Sequence, residues 1–526
     1  MVETSKIVGT NIDYAIIIIY LLGILCFGMF FSKYTKSTKE FFLAGQRFAW
    51  WLIAFSAVAS LVGSYSFIKY SEATYKYGLS ATQAYLDDWW WMPIWMFGWI
   101  PFIYYSRVIS IPEYFGKRFN QPTRALATLL LLLYMLFYIG MNLYTLGVAL
   151  HALLGWNVIL ASLIVATIVT IYVTAGGQTS VIMTDLLQGI ILIIAGLAVF
   201  ILGTIYLQDS GGLWSNLPQT HKFGMANFNK PADFNFVGIF WQDAICNSAA
   251  FWFMNQGILM RFMSAKSIKE SRKAILFAVL ILMPISALAV AGGGLVGRAI
   301  VATGTGAIPA SVSPKDIFII VTDLVTKPGI FGLIMAGLVS ALMSTADTLI
   351  NAVSAVFVND IYRPYFVKKA EDKHYLKAAR ISSVGAAFIG ISLVPLFMTF
   401  KTIYAAHATF TAAITPPLVS AILMGCLWKR YTTKAAFWTL LGGIIMMIIS
   451  FIHPGVISPF AHGSEPGGTY FHAYTYMRAL YGLVTSISIG VLVTLFTTPK
   501  PASELIGLVW GTEKEAAKKY KEQVKL

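Results

Sequence analysis

The sequence predicts an all-α integral membrane protein built as one helical bundle. Three observations predict it: 57% of the 526 residues are hydrophobic, the mean hydropathy is +0.72, and only 12% are charged. A soluble chain carries about a quarter charged residues. The apolar runs recur from end to end with no polar linker between them. A length that would otherwise split into several soluble domains therefore reads as one transmembrane unit over 1–499 with a cytoplasmic tail over 500–526. The net charge of +15 would suit nucleic acid, but its placement points to the membrane.

A crossing helix needs about 20 mostly apolar residues. The first run, 12–31, lacks a basic leader and a small-residue cleavage site, and Lys33, Lys36 and Lys39 follow it, so it reads as a retained span. The second, 50–70, opens on Trp50-Trp51 and carries small residues at mid-depth; the third, 84–106, opens on Asp87 and Asp88 ahead of a tryptophan run. The runs 127–152 and 157–175 follow, and a glycine-containing turn at 174–180 leads into 181–207. Next come the unusually polar 235–260, then 275–297 and 329–358. The series closes with 381–400, 403–428, 435–452 and 476–498, about thirteen spans in all.

Charge gives an independent check. Segments 32–49, 107–124, 261–273, 363–380, 429–434 and 500–526 hold 28 of the 38 Lys and Arg residues, and each is every second loop of the proposed order. Positive charge marks the cytoplasmic side, which puts the N-terminus outside and the C-terminus inside. The tail from Glu513 to Lys525 alternates in sign at helical spacing and reads as a solvated cytoplasmic helix, with anionic lipid as a secondary partner. Cys26, Cys246 and Cys426 read as small buried hydrophobes. His453, His462 and His472 read as loop residues rather than a metal site.

Polar residues inside spans mark the working parts, because lipid does not satisfy them. Ala59-Ser60-Leu61-Val62-Gly63-Ser64 would permit local unwinding, which frees backbone carbonyls, or close helix packing. Asp87 and Asp88 sit either at the outer interface or against a solute. Asp185 is either a helix-start acid or a group that serves a departing cation. The seventh span interleaves aromatics with amides (Trp241, Gln242, Asp243, Asn247, Trp252, Asn255), which suits a pocket for an uncharged or zwitterionic solute. In the ninth span Ser344, Thr345 and Asp347 offer oxygen ligands to a hard cation in otherwise apolar surroundings.

Taken together, several segments resemble the sodium/solute symporter family, and the chain is similar to bacterial sodium–galactose and sodium–proline carriers and to sodium–glucose carriers. The landmarks are Phe41-Phe42-Leu43-Ala44-Gly45 before Trp50-Trp51, Ile111-Pro112-Glu113-Tyr114 with Lys117-Arg118-Phe119, and Gly176-Gly177 with Thr184-Asp185 and Gln188. Asn255-Gln256 with Arg261, Met343-Ser344-Thr345 running to Asn359-Asp360-Ile361-Tyr362, and Trp428-Lys429-Arg430 with Thr433-Lys434-Ala435-Ala436 complete them. The resemblance implies a LeuT-type five-plus-five inverted repeat over about 50–430, with one helix before it and two after. It implies Na+ as coupling ion, held by backbone oxygens of Ala59, Val62 and Ala341 and the side chains of Ser344 and Thr345. By the same resemblance Asp185 helps the ion leave, and Asp347, outside the common motif, would serve a second ion or an amino group on the solute. Ser66, Asp87, Phe251, Trp252, Asn255 and His407 are the candidate solute contacts.

The chain departs from the sugar-carrier pattern at Tyr85, where a glutamate is expected, at Ala405, where a glutamine is expected, and at Phe251, which lacks a tyrosine hydroxyl; His407, Thr409 and Thr411 are alternative polar contacts. The expected function is sodium-coupled import of a small polar organic solute (sugar, polyol, amino acid or organic acid) by alternating access in the cell membrane. A proton-coupled symporter on the same fold, and a channel or solute sensor, are the alternatives. No nucleophile–base arrangement is evident, so an enzyme is not expected.

Overall fold

The computed structural model describes residues 9–228, 231, 234–399, 403–468, 473, 474 and 477–524; His472 and the side chains of Tyr85, Ala405 and Thr409 lie outside the described residues. Among these the regular structure is helical, apart from one isolated bridge between Phe48 and Ala265.

Helix α1 (Asn11–Phe30) turns Ile12, Ile18, Ile19 and Leu22 outward and buries Asp13. The Asp13 carboxylate accepts the amides of Gly329 and Gly332, at 2.8 and 2.7 Å, and so pins α1 to a later helix start. Next, α2 (Trp50–Leu61) and α3 (Ser64–Tyr77) form one broken span. Val62 leaves helical geometry with ψ 57° and Gly63 with ψ 171°, and the two halves are bent by 61°. A second bent pair, at 81°, joins α4 (Met92–Ser106) to α5 (Ile111–Arg118). α6 (Gln121–Leu154) is followed by α7 (Val158–Tyr206), whose 49 residues contain one non-helical position, Gly177, at φ 54° and ψ −145°. That conformation is open to glycine and strained for other residues.

A π-helical stretch over Ile239–Asn247 leads into α8 (Ser248–Met254), which breaks at Asn255 before α9 (Gln256–Met263). The remaining helices are α10 (Ile268–Ala302), α11 (Ile317–Val325), α12 (Ile330–Val356), α13 (Asp372–Phe397), α14 (Ile403–Leu427), α15 (Thr433–Ile452), α16 (Arg478–Leu495) and α17 (Glu513–Val524). α12 is the central post. It is buried along nearly its whole length and packs against α1, α2, α6, α7, α9 and α13.

Among the described residues, 8 helices are long and apolar enough to cross a bilayer, and 10 if each bent pair is one span. Three differences separate this from the expected thirteen. The fifth and sixth expected spans follow one another within α7 with no intervening loop, the chain turning at the non-helical Gly177, and so count as one. The seventh is divided at Asn255, and the eleventh, a helix over Ile403–Leu427, is described with its side chains as an apolar run only over Thr411–Leu427.

Three readings of the sequence change. The tail helix is docked rather than fully solvated: Tyr520 packs 5.7 and 5.6 Å from Tyr104 and Tyr105, with the Arg107 guanidinium 5.2 Å over its ring. Just before it, Trp510 donates its amide to Cys426 O at 2.7 Å, Tyr114 donates to Leu508 O at 2.9 Å, and Val509 is fully buried. Trp95 and Trp99, which follow a tryptophan run of the kind that gathers at the headgroup boundary, are core residues instead, whereas Trp89 is exposed. Cys26 is exposed on the lipid-facing side of α1, while Cys246 and Cys426 are buried.

Candidate ion and solute site

The break at Val62-Gly63 and the middle of α12 meet at the centre of the bundle. An unwound turn releases carbonyls that would otherwise bond four residues on, and here they find hydroxyls. Ser344 Oγ lies 2.6 Å from Ala59 O, to which it donates, and 3.1 Å from Ala341 O. Thr345 Oγ1 lies 3.3 Å from Ser60 O and 3.4 Å from Ala341 O. Gly63 is required beside them, since a Cβ there would come within 2.6 Å of Thr345 Oγ1. The oxygens of Ala59, Ala341, Ser344 and Thr345 are thus brought together, and Ser60, not expected from the sequence, joins them. Val62 sits at the break itself. All six residues are buried. A cluster of hydroxyl and carbonyl oxygens with no lipid access suits a hard monovalent cation, whose ligands must be oxygen.

One turn further along α12 the hydroxyls pass into an ionic network. Thr348 Oγ1 donates to Ser344 O at 2.6 Å and accepts from Arg261. The Arg261 guanidinium reaches Asp185 Oδ2 at 2.5 Å, Ser56 Oγ at 2.7 Å and Gly257 O at 3.1 Å. Ser56 also bonds Asp185 Oδ2, at 2.7 Å. Asp347 accepts the Tyr172 hydroxyl at 2.7 Å, with Thr348 Oγ1 3.2 Å from its other oxygen. Asp185, Asp347 and Arg261 are fully buried. Two acids share one guanidinium, and Asp185 Oδ1 is buried with no hydrogen-bond partner among the described residues. Arg261 stands in the sequence as a landmark only; its pairing with Asp185 joins residues 76 apart in the chain.

Near the oxygen cluster, a cavity of about 50 Å³ opens between α3, α6, α8 and the π-helical stretch before α8. Ser66 and Phe251 line it, as do Asp88, Asp243, Asn247 and Ser248. Tyr70, Tyr134 and Tyr138 add aromatic walls. The other expected contacts are placed elsewhere. Asp87 is half-buried beside Asp88, off the cavity lining. Trp252 stands behind the wall, donating its indole N–H to Asp88 Oδ1 at 2.9 Å and accepting from Trp95 at its carbonyl. Asn255 caps α9, its Oδ1 accepting the Ile258 amide at 3.1 Å. His407 is buried with its ring 6.0 Å from that of Tyr138. Asp243 and Asn247 belong to the span the sequence reads as a pocket wall, whereas Tyr70, Tyr134 and Tyr138 were missed although Ser66 with Tyr70 and Tyr134 with Tyr138 are four apart, one helical face each.

The profile of the sodium:solute symporter family matches residues 41–443. The human sodium/myo-inositol cotransporter 2 is 26% identical over 545 residues, covering 95% of this chain and 79% of its own length. The Vibrio parahaemolyticus sodium/glucose cotransporter is 24% identical over 459 residues, covering 81% and 82%. Among solved structures, a Na+-coupled sialic acid symporter in a substrate-bound outward-open state superposes with a TM-score of 0.77 at 19% identity, covering 93% of this chain and 98% of that one.

Proposed function

The chain belongs to the sodium:solute symporter family, is a multi-pass sodium-coupled symporter of a small polar organic solute and not an enzyme, and from this premise we propose which of its residues carry the ion and the solute. Sodium is held by the carbonyls of Ala59, Val62 and Ala341 and the hydroxyls of Ser344 and Thr345. The observation that carries this reading is the 2.6 Å approach of Ser344 Oγ to Ala59 O across the broken helix. Those two oxygens turn to a shared cation with little movement of the backbone. Asp185 and Asp347 serve the ion's exit, or hold a second ion, through the hydrogen-bonded path Ser344–Thr348–Arg261–Asp185.

The solute binds in the cavity beside Ser66 and Phe251, with Asp87, Trp252, Asn255 and His407 forming its outer support. Relatives that carry myo-inositol and glucose favour a polyhydroxylated solute. The proposed topology has thirteen spans, N-terminus outside and C-terminus inside, with a five-plus-five inverted repeat from the second span to the eleventh. The single unit covers 1–499, with 500–526 on the cytoplasmic face. Helices broken at Gly63 and at Asn255 support the repeat, because discontinuous helices at corresponding places line the site of such folds. Sodium and solute each favour the same closed arrangement, so each tightens the other's binding.

The test is uptake into proteoliposomes of a labelled panel of sugars, polyols, amino acids and organic acids under an inward sodium gradient, with potassium as control. We expect accumulation of one class with sodium only. In Thr345→Ala, the sodium concentration for half-maximal uptake should rise at least about tenfold, roughly 1.4 kcal/mol of ion binding. Unchanged sodium activation in that variant rejects the ion assignment, and uptake driven by pH alone selects proton coupling.

A further inference from the structure

Two buried amides lie beyond the ionic network, towards the basic segment 32–49, and neither the ion cluster nor the solute cavity uses them. Asn351 of α12 is two turns past Ser344, and Gln178 of α7 is two turns before Asp185, about 10 Å along each helix. They are 0% and 1% exposed. Asn351 Nδ2 donates to Gln178 Oε1 at 2.7 Å across the seam where α7 packs on α12. Two facing amides can exchange two such bonds, one in each direction. Here one is made: Asn351 Oδ1 and Gln178 Nε2 are buried with no hydrogen-bond partner among the described residues. Half-satisfied amides in a core cost more than apolar side chains of the same shape, so packing alone does not account for the pair.

The neighbours of the pair are matched. Ser354, one turn further on α12, donates to Ala379 O at 2.7 Å and accepts from Ser382 at 3.0 Å. On α7, Ser180 donates to Gly28 O at 2.5 Å and Thr184 to Ser180 O at 2.9 Å. On the outer side of the pair the chain closes over the seam: Arg47 donates to Thr179 Oγ1 at 3.2 Å, and Thr35 to Gly176 O at 2.8 Å. On its inner side stands the hydrogen-bonded path from Ser344 through Thr348 and Arg261 to Asp185. Ser344, Thr348 and Asn351 are four and three residues apart, on one face of α12. A cation that leaves along this face meets the amides next, and without oxygens at that level it would cross an apolar gap, where a bare charge is expensive.

We propose that Gln178 and Asn351 form a transit station for sodium between the ionic network and the cytoplasm. Asn351 Oδ1 coordinates the departing ion, joined by Gln178 Oε1 once the amide–amide bond opens, and that bond re-forms behind the ion. The bond is thus the inner gate of the ion's path, and Arg47 over Thr179 is the layer outside it. Neutral carbonyl oxygens suit the task, because a station must bind well enough to admit an ion and weakly enough to let it go. The assignment rests on reading the Ala59–Thr345 oxygens as the sodium site and the segment 32–49 as cytoplasmic.

The experiment needs sodium and two thiol reagents of opposite charge. In a full-length background carrying Cys26→Ser, Cys246→Ala and Cys426→Ala, Asn351→Cys and Gln178→Cys are made separately, with Ser354→Cys as the control. Inside-out membrane vesicles present the cytoplasmic face. In potassium, both test cysteines should react at least about tenfold faster with the aminoethyl methanethiosulfonate cation than with the sulfonatoethyl anion. Sodium, which favours the closed arrangement, should slow that reaction severalfold, and Ser354→Cys should stay unreactive. Failure of either test cysteine to react, equal rates with the two reagents, or rates indifferent to sodium would overturn the station. The first result is that of a packing pair, and the second that of a water-filled crevice with no preference for cations. Sodium-induced thermal stabilisation, measured on each variant, shows that it is folded with its ion cluster intact, and the two test positions are independent of each other. Stabilisation with unreactive cysteines makes the station fail alone; its absence from the parent protein makes the ion reading fail.

Discussion

The guanidinium of Arg261 bonds Asp185, Ser56, Thr348 and a backbone carbonyl at once, with no exposure to solvent or lipid. Removing one member of such a buried pair strands the other charge, at a cost of about 3–5 kcal/mol. Arg261→Met should therefore lower thermal stability in detergent sharply, and Asp185→Asn in the same background should recover part of the loss. A double variant no more stable than Arg261→Met would show that the pair is not the reason for the cost. At this scale the small-residue break and the hydroxyls that meet it were legible in the sequence, because both interrupt apolar runs. The choice between Asp87 and Asp88 was not. The chain from Gly78 to Trp99 passes through 3₁₀, α and π geometry in turn, and each advances side chains by a different angle per residue. A helical wheel loses its phase over such a stretch, so the inward acid shifted by one position.

Two glycines set the geometry of the elements. Gly177 holds φ 54°, and a Cβ there would lie 2.6 Å from Phe41 O. Gly177→Ala should cost about 1–3 kcal/mol, read as a lower unfolding temperature, with sodium affinity unchanged in the folded fraction. Gly63→Ala should do the reverse. Its Cβ meets the Thr345 hydroxyl rather than backbone, so the sodium concentration for half-maximal uptake should rise more than stability falls. Equal effects on both readouts would argue that Gly63 is a packing residue. The break at Gly63 was legible from its run of small residues. The break at Asn255 was not, because an amide in a span signals a solute contact as readily as a cap, and here its oxygen bonds the Ile258 amide. The π-helical stretch over Ile239–Asn247 was equally hidden, since nothing in composition separates it from α-helix.

For the whole molecule, hydropathy carried most of the helical architecture, whereas long-range docking left no local trace. The tail is the clearest case. Its alternating charges describe its solvent-facing side, but Leu505, Leu508 and Val509 are buried against the bundle. Each such side chain contributes about 1.5–3 kcal/mol when fully buried. Deleting 505–526 should lower the unfolding temperature by several degrees, while Lys518→Ala with Lys521→Ala should leave it unchanged. No loss on deletion would return the tail to the solvent.

The indole of Trp252 joins two things that are usually separate: it touches Asp88 on the cavity wall and, through its own carbonyl, a second buried indole at Trp95. Indole emission responds to the charge beside its nitrogen. Whatever enters the cavity and screens Asp88 should therefore shift the protein's fluorescence, and Trp252→Phe should abolish that part of the signal. The chain thus contains its own optical reporter of occupancy, which would allow solutes to be screened by titration in detergent before any vesicle is made.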